Sequence, residues 1–272
     1  MDSNIRFVII RVGVIFERKY ACLFQLKLQP KTEEESYIMR TIGIIGAMEQ
    51  EVTGLKEQMQ EVKISRIASM AFYEGTLEGK HVVVVQSGVG KVNAAVCTQI
   101  LVNRFHVEVV INTGVGGSLN NDINIGDIVV STDVLEHDMD VTALGYAAGQ
   151  IPGIEHLAFT ADEALRRLAV EACREVNPDI QVFEGRIASG DQFISSQEAK
   201  EKIVKNFGAY VTEMEGAAIG HAAYLNEVPF LILRAISDKA DGSAHMDYPA
   251  FEAEAIRHSI RLTTRIIRDM QA

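Results

Sequence analysis

Three polar residues close the otherwise apolar stretch Phe230–Asp238, FLILRAISD: Arg234, Ser237 and Asp238. They bring a guanidinium, a hydroxyl and a carboxylate, the groups of charge pairing, hydrogen bonding and proton transfer. The body of the stretch, Phe230 to Leu233 after Pro229, reads as a strand buried on both faces. In α/β folds ligands bind beyond the carboxyl ends of such strands. The same residues also fit a strand that has merely reached solvent, with Asp238 capping the next turn. A second acidic stretch, VTEMEG at 211–216, favours a site, because it too ends an extended run and leads into an Ala-rich helix.

The elements that would position these groups alternate as in an α/β fold. Ile42 to Gly46 is a short buried strand, followed by a helix that begins at Ala47–Glu51, with acids in its first turn. On local sequence alone Glu51 is equally a dipole-friendly surface acid. Ala71–Leu77 and His81–Gln86 form a hairpin about Glu78-Gly79, so the sheet is mixed. Ser87-Gly-Val-Gly-Lys91 leads into a helix over Val92–Phe105, and its glycines let backbone amides approach an anion or a close-packed helix start. It is no Walker A loop, since the first glycine is missing and Val92 stands where Ser or Thr would bind magnesium. Val107–Asn112 is a strand ending in a glycine-rich turn, Thr113–Gly117, which fails the dinucleotide fingerprint at Leu119. Asp127–Ser131 is a further strand. The His137, Asp138, Asp140 group beyond it has no partner cluster, so no metal is assigned. A Gly- and Pro-bearing loop over 145–156, a helix over Asp162–Val176, a strand over Gln181–Ser189, a helix over Ala217–Leu225, a polar loop over Lys239–Pro249 and a helix to Met270 complete the chain. Phe193, just past a strand end, is either core or a platform for a flat ring.

The 272 residues suffice for one α/β domain. A net charge of −11 and a pI near 5.2 disfavour nucleic acid and anionic membrane surfaces as partners. No apolar run of about 18 residues offers a membrane span. Cys22, Cys97 and Cys173 suggest neither zinc nor disulfides, and a reducing cytoplasm fits them. Residues 1–38 read differently from the rest. Phe7–Phe16 is apolar but carries Arg11 and lacks a cleavage site, and Lys31–Ser36 reads as linker. Met39 is the expected working start, with a short extra strand or a disordered arm as the alternatives. The domain then spans 39–272.

Six segments carry a resemblance: IGIIGAMEQEV at 42–52, NTGVGG at 112–117, GDIVVS at 126–131, SGDQFI at 189–194, VTEMEGAAI at 211–219 and RAISDKAD at 234–241. Together they resemble the bacterial 5′-methylthioadenosine/S-adenosylhomocysteine nucleosidases of the nucleoside phosphorylase superfamily, over about residues 39–272. The resemblance implies a single α/β domain with a central mixed, partly closed sheet wrapped by helices. It implies a cytoplasmic homodimer without cofactor or metal. The expected reaction is hydrolysis of adenine nucleoside thioethers, with 5′-deoxyadenosine as a further substrate, in methionine salvage and methyl-cycle by-product removal. By the same resemblance Asp238 protonates adenine at N7 with Ser237 beside it, Glu51 activates water, and Arg234 is a charge partner in the water pocket. Glu215 binds the ribose hydroxyls over Met214, Phe193 stacks on adenine, and the Ile194 backbone reads its edge. Met48 and Tyr248 flank the ribose and 5′ group, while Val89, Leu144 and Pro152 lie at the dimer edge, some of them reaching the neighbour's alkylthio pocket. Val115 departs from a serine common in the family, and Tyr248 from a phenylalanine.

The chemistry is consistent with these assignments. Cleaving a ribosyl C–N bond passes through an oxocarbenium-like state, which calls for an acid at the base, a carboxylate at the water and negative charge near the sugar. No elbow motif presents a nucleophile with a partnered histidine, so direct hydrolysis is preferred to covalent catalysis. A purine nucleoside phosphorylase and a catalytically silent nucleoside-binding module are the alternatives. Glu51 in a phosphate pocket opposes the first, and three retained acids oppose the second.

Overall fold

The computed structural model describes residues 40–241 and 244–271, with no description of the side chains of 245–250. The expectations for residues 1–38, Met39 and Cys22 lie outside the described residues. The strands and helices, in chain order, are β1 (Ile42–Gly46), α1 (Glu49–Lys56), β2 (Gln60–Ile67), β3 (Met70–Leu77), β4 (Lys80–Gln86), α2 (Lys91–Phe105), β5 (Val109–Ser118), β6 (Ile128–Glu136), β7 (Phe159–Thr160), α3 (Glu163–Val176), β8 (Val182–Ser189), α4 (Gln197–Phe207), β9 (Val211–Glu213), α5 (Gly216–Leu225), β10 (Phe230–Asp238) and α6 (Ala244–Asp269).

The sheet is mixed and partly closed, as the resemblance implies. Strand β10 pairs in parallel with β5 and antiparallel with β6, β6 runs parallel to β8 and β8 to β9, and β9 returns antiparallel to β5. These five strands make a ring. From β5 the sheet continues through β1, β4 and β3 to the edge strand β2. The uninterrupted apolar runs are where continuous burial is required: every residue of β1, β5 and β10 is buried. Helix α2 packs on α5, while α6 lies against β5, β10, α1 and α3. The β3–β4 turn has Glu78 at φ 51° and Gly79 at φ 75°, the left-handed pair a two-residue hairpin needs.

Several boundaries move. The glycine-rich segment Thr113–Gly117 is no turn but the second half of β5. Strand β6 runs on to Glu136, and the polar loop after β10 is short because α6 starts at Ala244. Three elements are absent from the sequence reading: the exposed edge strand β2, the two-residue β7, and α4, which is capped by Ser196 Oγ accepting from Ala199 N–H at 3.3 Å. Among the described residues no helix is long and apolar enough to cross a membrane, and no His, Cys, Asp and Glu cluster could hold a metal ion. Cys97 and Cys173 are buried free thiols.

Candidate active site

Strands β1, β5, β9 and β10 end around one cavity of about 190 Å³. Glu51, in the first turn of α1, turns its carboxylate inward instead of to solvent. Its Oε2 accepts from the backbone N–H groups of Ala47 at 2.7 Å and Met48 at 2.9 Å, and its Oε1 from Val115 N–H at 3.1 Å. This excludes the reading of Glu51 as a surface acid. Burial raises its pKa, against the opposing charge of Arg234 and the three amides. Gly114 makes room for it, since a methyl there would come 2.5 Å from Oε1.

Ser237 and Asp238 both line the cavity although they are neighbours on a strand. The β10–β5 register explains this: Ile236 faces Gly116 and Asp238 faces Gly117, so Ser237 is the extra residue of a bulge. Asp238 is 2 % exposed. Its Oδ1 accepts from Ala240 N–H at 2.8 Å and its Oδ2 from the Ser237 hydroxyl at 3.0 Å. A methyl at Gly117 would stand 2.7 Å from Asp238 Oδ1, so this position of β5 also tolerates only hydrogen.

The VTEMEG segment supplies the opposite wall with Thr212, Glu213, Met214 and Glu215. Glu215 Oε1 accepts from Gly90 N–H at 2.8 Å, so the glycine loop before α2 delivers its amide to a carboxylate of the chain itself. Burial first and the neighbouring Glu213 second push Glu215 up to about 7, against the pull of Arg234 and Gly90. Glu213 is the partner the sequence reading omits. Its carboxylate takes hydrogen bonds from Ser189 Oγ and Arg234 Nη2, and from the N–H groups of Glu215 at 3.1 Å and Gly216 at 2.7 Å. Its signal in the sequence is its place beside Glu215 in the acidic VTEMEG segment, which begins with β9.

Arg234 is 1 % exposed and does not line the cavity. Its Nη2 donates to Glu213 and to Asn112 Oδ1 at 2.6 Å, and lies 3.9 Å from Glu215. It is therefore a cation behind the three glutamates and no part of the cavity wall. Burial opposes its charge, but Glu213, Glu215 and Glu51 outweigh that and raise its pKa.

Met48, Val89, Val115, Met214 and Phe193 also line the cavity, and Ile194 borders its continuation beside Phe193 and Asp238. Leu144 and Pro152 do not join them. Leu144 is 75 % exposed on a short 3₁₀ turn and Pro152 is exposed on the loop after it. Tyr248 falls in the first turns of α6, where the side chain is not described. The cavity is thus lined by four buried carboxyl groups, those of Asp238, Glu51, Glu213 and Glu215, with Glu51 held on backbone amides.

A family model described as the phosphorylase superfamily matches residues 41–268. A protein of Bacillus thuringiensis (strain Al Hakam) called 5′-methylthioadenosine/S-adenosylhomocysteine nucleosidase is 41 % identical over 231 residues, covering 85 % of this chain and 99 % of its own. The crystal structure of the Neisseria meningitidis nucleosidase of that name, in complex with methylthio-immucillin-A, superposes with a TM-score of 0.82 at 40 % identity, covering 85 % of this chain and all of the other. Futalosine hydrolase of Helicobacter pylori strain 26695 also superposes at 0.82, with 34 % identity over 86 % of this chain and all of its own.

Proposed function

This chain belongs to the phosphorylase superfamily, and from that premise we propose that it hydrolyses the N-glycosidic bond of 5′-methylthioadenosine and S-adenosylhomocysteine, releasing adenine. One observation carries the choice of water over phosphate. The three amides that would cradle an anion already hold the carboxylate of Glu51, and the buried Arg234 guanidinium is bonded to Glu213 and Asn112. A phosphate entering there would meet a negative charge.

In this reading Asp238 gives its proton to N7 of the purine as the C1′–N bond breaks, with Ser237 orienting it. Glu51 takes a proton from the water whose oxygen bonds to C1′. The products are adenine and a 5-thioribose. Glu215 accepts the ribose hydroxyls over Met214, Phe193 stacks on the base and the Ile194 backbone reads its edge. Met48 and Val89 flank the sugar and the 5′ group, Val115 adds an apolar wall beside the ribose, and Tyr248 faces the 5′ side. Arg234 acts from behind, holding the glutamates in place. The test is adenine release with and without phosphate. Release that is independent of phosphate supports hydrolysis, release only with phosphate makes the chain a phosphorylase, and tight binding without release makes it a binding module. 5′-Deoxyadenosine and futalosine extend the substrate panel. We place the reaction in the cytoplasm.

Glu215 makes the site sensitive to pH. Its folded value of about 7 lies above the ordinary glutamate value of 4.5, so between these the folded chain holds an extra proton. Its contribution to stability is full below about 4.5 and is lost as pH rises through about 7. Hydroxyl binding has the opposite sign, because the ionised carboxylate is the better acceptor. The dissociation constant of a non-hydrolysable adenine nucleoside should fall as pH rises through about 7, and Glu215→Gln should flatten that profile. A wild-type profile that is flat from pH 5.5 to 8.5, a range of roughly three units, would remove Glu215 from ribose binding.

The working unit is a homodimer in this proposal. A cavity of about 190 Å³ falls short of the roughly 300 Å³ usual for an enclosed small-molecule site. Val89 is exposed at the cavity and Leu144 and Pro152 are exposed on the loop after β6, where a two-fold partner would cover them and complete the alkylthio pocket. Leu144→Asp should weaken the dimer and raise KM for methylthioadenosine about tenfold, more than for adenosine. Sedimentation beside kinetics checks this, and a monomer with unaltered discrimination would separate assembly from the site.

A further inference from the structure

Two residues that the sequence singles out have no part in this chemistry: Lys91, at the end of the glycine loop, and Asp138, in the segment that resembles a metal site. They meet in the folded chain. Lys91 Nζ donates to Asp138 Oδ1 at 2.6 Å and to Glu136 Oε2 at 3.0 Å. Asp138 Oδ2 accepts from Asp191 N–H at 2.9 Å, and Asp191 Oδ1 accepts from Lys91 N–H at 2.9 Å. The bonds close on themselves: Lys91 side chain, Asp138 carboxylate, Asp191 backbone, Asp191 carboxylate, Lys91 backbone. Three segments distant in sequence are tied at one point.

Both loops in this ring carry walls of the cavity. Next to Lys91 stands Gly90, whose amide holds Glu215, and before it Val89. Two residues beyond Asp191 stands Phe193. The segments approach closely enough that a methyl at Gly190 would come 2.5 Å from the His137 ring and 3.1 Å from Asp138 Cγ. The Lys91 and Asp138 side chains are 19 % and 17 % exposed, so this is no freely screened surface pair. Burial opposes the charge on Lys91, but Asp138 and Glu136 together raise its pKa and keep it an ammonium. On the far side Glu136 also meets His221 Nδ1 at 3.3 Å, which braces the ring against α5.

We infer that Lys91 and Asp138 are positioning residues for the nucleoside site, because their ring sets the gap between the Gly90 amide and the Phe193 ring and hence how ribose and base are held together. This rests on reading the cavity as a nucleoside site. Neither residue touches the reacting atoms. Loss of the ring therefore loosens binding and leaves the chemical step, which belongs to Asp238 and Glu51, largely as it was.

The test uses the full chain with Lys91→Met, Asp138→Asn, the two together, and Lys91→Arg. Each single change should raise KM, and the dissociation constant for adenine by calorimetry, about tenfold while kcat stays within about threefold. The pair should do no worse than either alone, because each has already opened the ring. Lys91→Arg, which keeps the charge, should recover part of the loss. A purely structural role would lower the melting temperature and leave KM and adenine binding alone. Wild-type adenine binding in both single variants, or losses that multiply in the pair, would overturn the inference. If the wild type binds adenine but releases none from nucleosides, the reaction proposed above fails, and adenine binding by the variants still decides the role of the ring.

Discussion

Asp238→Asn is expected to lower kcat by about 10²-fold or more with little change in KM. Asparagine has nearly the shape of the side chain it replaces. Its oxygen can keep the Ala240 N–H bond now made at 2.8 Å, and the Ser237 hydroxyl, which donates at 3.0 Å, can turn to accept from the new amide. The bulge at Ser237 and the clearance over Gly117 are untouched. What disappears is the proton that the proposed reaction takes from this side chain. Without it the purine leaves as an anion, and only the transition state feels the difference, so the loss falls on kcat. Turnover near wild type, with the melting temperature unchanged, would take Asp238 out of the mechanism.

How much of this was legible depends on how each residue is buried. β1, β5 and β10 announce themselves because both faces are covered and polar residues appear only where the cavity begins. The edge strand β2 hides because five of its residues in succession, Gln60 to Ile64, face solvent and show no apolar run. Gly114, Gly116 and Gly117 mislead in an instructive way. Glycine at such density reads as a turn, yet here it keeps a strand free of side chains where Glu51, Val211 and Asp238 press against it. Glu51, Glu215 and Asp238 declare themselves by type and by their place at element ends, whereas the sequence reading omits Glu213, which also lines the cavity. Arg234 is recognised as a cation of the site, but its depth is not legible, because that depends on Glu213 and Asn112, which no local pattern links to it. Leu144 and Pro152 are exposed and do not line the cavity.

The other large effect is expected at Glu51. Glu51→Gln should still bind nucleoside within a few-fold of wild type but lose kcat by about 10²-fold or more, since activation of water matters mainly in the transition state. Three donors hold the carboxylate, Ala47 and Met48 N–H on Oε2 and Val115 N–H on Oε1, which leaves Oε1 room for the water. Glutamine can satisfy the first two with its oxygen but then turns an NH₂ toward Val115 N–H, and that unmade bond should cost about 1–3 kcal/mol of stability. A lower melting temperature is therefore part of the prediction and does not by itself explain lost turnover, provided that binding survives. The pH dependence adds a second reading of the same residue. Burial raises the Glu51 pKa, and only the ionised form can take a proton from water, so activity lost on acidification should fade at a higher pH than for an ordinary carboxylate. The Gln variant should lack that acidic limb in whatever activity it retains. A variant that binds poorly yet turns over normally at saturation would make Glu51 a binding residue and move the water elsewhere.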